Sequence, residues 1–156
     1  MKYKSFIRGL VAGALFCGVT FSHASLEGVW RTLKPEKNAD IEIEKCQDDP
    51  STFCGKIVAL QEPTYPDGSP KVDKHNKDAS KQTRPLLGLE LISGFKKSGD
   101  NEWDSGKIYN PEDGDVYDCT IRMYNEGGED KLEVRGYVGV PLFGKSQTWV
   151  RKKSEN

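Results

Sequence analysis

From residue 25 onward, apolar and polar side chains alternate in short runs, and helical periodicity is nearly absent. In 116–124, Tyr117, Cys119, Ile121 and Met123 form one face, with Asp118, Thr120 and Arg122 on the other. Leu132, Val134 and Val138 oppose Lys131, Glu133 and Arg135 in the same way, and Ile41 and Ile43 sit between Asp40, Glu42 and Glu44. This period of two predicts strands over 28–33, 40–46, 55–61, 89–95, 102–109, 116–124, 131–138 and 146–151. Turns over 96–101, 110–115 and 125–130 separate the later runs, their Gly, Asn and Asp supplying positive φ and local side-chain bonds. Sequential hairpins build an antiparallel meander with one buried face per strand. The predicted fold is all-β, an eight-stranded antiparallel up-and-down barrel, because closure removes the exposed sheet edges.

One connection breaks the rhythm. Residues 62–85 are polar and carry Pro63, Pro66, Gly68, Pro70 and a charged run from Lys71 to Lys81. A connection this long in a small domain is usually functional or disordered. It is predicted to lie over one barrel mouth as a lid, with at most one helical turn over 78–82.

Residues 1–24 follow another pattern. Lys2, Lys4 and Arg8 precede an almost wholly apolar run over 9–21, and Ser22-His23-Ala24 follows. That is the order of a secretory signal peptide cleaved after Ala24, since the run is shorter than the ~20 residues of a membrane span. The bulky Phe16 before Cys17 does not suit a lipidation site. The predicted mature chain, 25–156, is a single domain exported to the periplasm or secreted, with no membrane insertion after the signal is removed. The signal holds three of the 23 basic residues and none of the 24 acidic ones, so 20 against 24 leaves about −4. A mildly acidic, mixed surface excludes nucleic acid as a partner. An oxidising compartment favours a disulfide, and Cys46 and Cys54, which end one predicted strand and begin the next, are the expected pair. Cys119 falls on the apolar phase of its strand and reads as a buried, inert thiol.

Candidate chemistry is sparse. His75 is the one histidine beyond the signal and has no nucleophile signature near it. One His and a bonded Cys pair do not make a zinc site. Asp67, Asp73, Asn76 and Asp78, and the turn over 110–115, are oxygen-rich but lack EF-hand spacing and are explained as turn formers. No metal, cofactor or catalytic residue is therefore assigned, and the chain does not read as an enzyme. A hydrolase using Glu or Asp with Tyr ranks third among the readings. Aromatic and arginine side chains on or near strands are more informative. Arg84, Trp103, Tyr109 and Arg135 are the predicted ligand-binding residues, since a concave apolar pocket with an Arg at its mouth takes a carboxylate or phosphate head.

Several segments together carry a family resemblance. They are Gly28-Val29-Trp30, Cys54-Gly55-Lys56-Ile57-Val58, Arg84-Pro85-Leu86-Leu87-Gly88-Leu89 and the turn Gly106 to Gly114, followed by Val134-Arg135-Gly136-Tyr137-Val138-Gly139 and Gly144 to Arg151. Their order and spacing resemble a family of small exported bacterial proteins known as domain of unknown function family 2147. The resemblance implies a lipocalin-like, calycin-type barrel. Gly28-x-Trp30 also resembles the first-strand signature of lipocalins, which implies that Trp30 plugs one barrel end with Arg151 packed on it. The resemblance brings no catalytic residues. The leading expectation is an exported small-ligand-binding protein holding a partly apolar, anionic-headed molecule in its barrel. The alternative is a protein-binding module, an inhibitor or envelope partner, that uses the 62–85 loop. A packed interior would leave no room for a ligand there.

Overall fold

The computed structural model describes residues 25–35 and 37–153, so the signal peptide expected over 1–24 lies outside the described residues. Eight strands form: β1 Gly28–Thr32, β2 Ala39–Lys45, β3 Phe53–Leu60, β4 Glu90–Gly99, β5 Glu102–Asn110, β6 Asp115–Glu126, β7 Glu129–Tyr137 and β8 Lys145–Arg151. Each pairs antiparallel with the next, and β1 pairs with β8, so the sheet closes. The fold is the up-and-down barrel that alternation predicts.

Strand ends differ from expectation where turns are tighter. β4 runs on through Lys96 and Lys97, which pair with Asp104 and Trp103, so that Asp100-Asn101 alone makes the turn into β5. β6 and β7 are joined by Gly127 and Gly128, both at positive φ, the two-residue turn whose twist matches a hairpin.

The connections sort to two ends. The lower end holds the β2–β3, β4–β5 and β6–β7 turns, the lead into β1 and the exit from β8. The upper end holds the β1–β2, β3–β4, β5–β6 and β7–β8 connections. At the lower end, Cys46 and Cys54 form a disulfide across the base of the β2–β3 loop.

Large side chains fill the interior. Trp30, Trp149, Phe95, Ile41, Ile43, Ile92, Ile121, Leu132 and Val134 are all fully buried and belong to one cluster. The packing depends on small residues opposite large ones. A Cβ on Gly106 would lie 2.4 Å from the Phe95 ring, so only glycine there lets that ring cross the barrel. The outer wall is polar and carries cross-strand pairs such as Lys56 with Glu42 and Glu44, and Arg122 with Glu133.

Candidate functional site

The β3–β4 connection is folded rather than loose. Asp67 and Asp78 accept from the backbone and hydroxyl of Ser69 and Ser80 two residues on, making local turns. A 3₁₀ turn spans Ala79–Lys81. Val72 bridges Pro85, and the Asp73 amide donates to the Arg84 carbonyl at 3.0 Å. That pairing brings the side chains of Asp73 and Arg84 together although they are eleven residues apart.

Asp73 is fully buried and saturated with donors. The Tyr109 hydroxyl donates to its Oδ1 at 2.6 Å. Its Oδ2 accepts from Asn76 Nδ2 at 2.8 Å and from Arg84 Nε and Nη2 at 2.9 and 2.8 Å. Asn76 also donates to the Tyr109 oxygen at 3.0 Å, and the Arg84 guanidinium sits 5.5 Å from the Tyr109 ring centre. A buried carboxylate requires such compensation. Burial, then the bond to Asp73 and its charge, push the Tyr109 hydroxyl above its ordinary pKa, outweighing the donors Asn76 and Arg84. The network fastens the connection to the outer face of β5. It is fastened again at the β5–β6 turn, where Gly114 at φ +73° lies so close that a Cβ would come 2.0 Å from the His75 carbonyl oxygen.

Between the fastened connection and the wall of β4, β5 and β6 runs a groove of about 360 Å³. Lys81, Arg84 and Lys107 contribute cations, Lys81 pairing with Asp78 and Lys107 with Asp118; Glu90 contributes one carboxylate and Tyr109 its ring, while Leu91 and Val116 supply apolar surface. Arg84 remains 39% exposed, and Asp73 engages only its Nε and Nη2. A guanidinium has five N–H donors, so several remain for an anion. Three cations outnumber the one carboxylate of the lining, and apolar surface lies beside them. A second hollow, of about 720 Å³, lies outside β2, β3 and β4 and is lined by charges of both signs, among them Glu44, Lys56, Glu90 and Lys96.

Arg84 and Tyr109 thus come together, but the other two predicted ligand residues do not join them. Trp103 lies in the core, its ring edge-on to Phe53 at 6.4 Å, and its buried Nε1 has no hydrogen-bond partner among the described residues. Arg135 lies outside the barrel on β7 and donates to the carbonyls of Pro141 and Leu142 at 2.7 and 3.2 Å. The residue that organises the site, Asp73, stood out in the sequence only as one of several loop oxygens. Its partners lie three, eleven and 36 positions away, and no local pattern joins them.

Elsewhere, Trp30 donates from Nε1 to the Leu26 carbonyl at 2.9 Å, and Arg151 lies 4.1 Å over its ring. Arg151 also donates from Nη1 to the Glu27 carbonyl at 3.0 Å. These contacts seal the lower end. Cys119 is buried, and desolvation pushes its thiol up to about 12, which keeps it protonated and unreactive. Among the described residues, no group of three His, Cys, Asp or Glu side chains converges as metal ligands would.

The family model described as an uncharacterized protein conserved in bacteria (DUF2147) matches residues 28–151. Comparison with curated proteins returns no match. Among solved structures, the chain is similar to protein HP1028 from the human pathogen Helicobacter pylori, which belongs to the lipocalin family. The two are 25% identical, with a TM-score of 0.69 over 83% of this chain and 84% of that one.

Proposed function

This chain belongs to the DUF2147 family, and we propose that it is an exported binding protein for a small, partly apolar molecule with an anionic head. The observation that carries the reading is the groove beside β4–β6, where Lys81, Arg84, Lys107 and Tyr109 stand next to Leu91 and Val116. Its volume of about 360 Å³ falls within the ~300–1,000 Å³ of small-molecule sites. The filled barrel interior favours this outer groove over the barrel's middle as the place of binding. Export is supported by the Cys46–Cys54 disulfide and by the signal-like order of residues 1–24. Binding rather than hydrolysis is supported by Asp73, the carboxylate nearest a tyrosine hydroxyl here, because donors occupy both its oxygens.

Calorimetric titration with decanoate and decyl phosphate, against uncharged decanol, tests the reading. Both anions are expected to bind, and decanol to bind far more weakly. The double variant K107E/V116D reverses one charge and adds another at side chains that are well exposed. It should lower affinity for the anions by about tenfold or more with only a small fall in melting temperature, since K107E sets a carboxylate opposite Asp118 on the exposed wall. Equal binding of decanol, or an unaffected double variant, would overturn the proposal.

A further inference from the structure

The two barrel ends differ in what they show to solvent. Phe143, Leu142 and Val138 in the β7–β8 connection are 80%, 78% and 74% exposed, and Val140 is exposed beside them. Leu33 in the β1–β2 connection and Leu87 in the β3–β4 connection are exposed at the same end. Among the described residues, the turns of the lower end present no large exposed apolar side chain. Two others, Val58 and Val116, lie on the wall.

The apolar tip is held in one shape. A 3₁₀ turn over Pro141–Phe143 closes with the Gly144 amide donating to the Pro141 carbonyl at 3.0 Å. Arg135 clamps the carbonyls of Pro141 and Leu142 and reaches Ser146 Oγ from Nη1 at 3.0 Å. With its backbone so bound, the connection turns Leu142 and Phe143 outward instead of folding them onto the wall.

We propose that the upper end of the barrel docks on a lipid bilayer, with Leu142 and Phe143 entering the interfacial region. Three observations select a bilayer over other occupants. The tip offers only a few hundred Å², short of the ~800 Å² per partner of a standard protein interface, so it does not sustain a dimer alone. Residues 136–144 carry no charge, in a chain with 30% charged residues, and they include Tyr137 and Phe143 with Lys145 directly after. Interfacial segments have that composition: apolar and aromatic groups to bury, and a flanking lysine whose stem reaches back to the headgroups. Finally, among the described residues, the connections of the upper end hold seven basic and six acidic side chains, whereas the lower end, with the lead into β1 and the exit from β8, holds four acidic and two basic. Docking by the upper end therefore points the excess negative charge away from an anionic membrane surface. The contact is peripheral, since no helix among the described residues is long and apolar enough to cross a membrane and the barrel wall is polar.

Flotation of the mature protein with vesicles tests this, using phosphatidylcholine alone and a mixture of phosphatidylethanolamine and phosphatidylglycerol. Wild type should float with both, and the emission of F143W should shift to the blue when vesicles are added. L142S/F143S should lose about tenfold or more in partitioning with its melting temperature unchanged, because both side chains are free of the core. V58S, which removes an exposed apolar group from the wall, should partition as wild type does, and K107E/V116D should do so on phosphatidylcholine alone, where its added negative charge meets no anionic surface. Wild type remaining unbound to both vesicle types would overturn the proposal, as would undiminished flotation of L142S/F143S. A vesicle-free dimer that L142S/F143S converts to monomer would overturn it too, by assigning the tip to a second copy.

Discussion

The lower end of the barrel is sealed by apolar packing, and the β3–β4 connection at the upper end is fastened by polar bonds. Below, Leu26 and Trp30 close the interior, and Arg151 lies on the indole with its donors spent on the Ser25 and Glu27 carbonyls and on Asp130. Above, a connection of some thirty residues is fixed to the wall mainly by one buried carboxylate with tyrosine, asparagine and arginine donors. The physical consequence is a difference in how each end opens. Apolar packing is lost only when the barrel itself comes apart, whereas a polar latch can release its segment while the barrel stays folded. Ligand-binding segments belong on the second kind of end.

The sharpest way to break this comparison is at the seal. Trp30→Ala should cost about 3–5 kcal/mol, measured by urea denaturation, since the cavity lies where the chain cannot easily collapse. The whole barrel should lose stability together, as one transition. A loss below about 1 kcal/mol would mean that Arg151 and Leu26 seal the end without the indole.

The latch should respond less, and locally. Tyr109→Phe removes the hydroxyl that donates to Asp73, a loss of about 1.5–3 kcal/mol for a bond to a charged acceptor. Hydrogen exchange should rise in the β3–β4 connection and stay unchanged in β6 and β7. The same bond gives a pH signature. The folded state holds the Tyr109 hydroxyl above its ordinary value of about 10, so its stabilising contribution is whole below that pH. It is lost as pH rises through the elevated value, because the phenolate cannot donate to Asp73. Alkaline titration should therefore release the connection in wild type, and Tyr109→Phe should abolish that step. Uniform exchange across the barrel would erase the distinction between the two ends.

How much of this was legible depended on whether neighbours in sequence carried the signal. Alternation in β6 and β7 marked both strands, since Tyr117 through Met123 and Leu132 through Val134 keep one phase. Alternation alone would not place Trp103. It shares its parity with Tyr109, yet Trp103 is inside the barrel and Tyr109 outside, because the register shifts between Trp103 and Gly106 around Ser105 at φ 59°. A single such irregularity turns all later side chains to the opposite face. The filled interior was not legible either, since it depends on Phe95 occupying the space above Gly106 from a different strand. Arg135 was readable as a strand residue pointing outward, but its clamp on Pro141 and Leu142 rests on the path of the following connection. Local pattern encodes strands; the site arises from contacts across strands.

The smallest effect belongs to a second polar fastening at the upper end. Lys34 and Lys37, in the β1–β2 connection, reach Glu112 in the β5–β6 turn at 3.5 and 3.2 Å. In an eight-strand barrel those two connections stand on opposite sides, so the ion pairs span the mouth. The nearby charge of Lys34 and the hydrogen bond from Lys37 hold the Glu112 carboxyl below its ordinary pKa against the opposing effect of burial. Yet all three side chains are well exposed, and pairs of that kind contribute little. Glu112→Gln should cost no more than about 0.5 kcal/mol in dilute buffer, and the difference should vanish at high salt as screening removes it from wild type as well. A larger loss, or one that salt does not erase, would show that the mouth is fastened as firmly as the wall and that the polar latch at Asp73 is not what distinguishes the upper end.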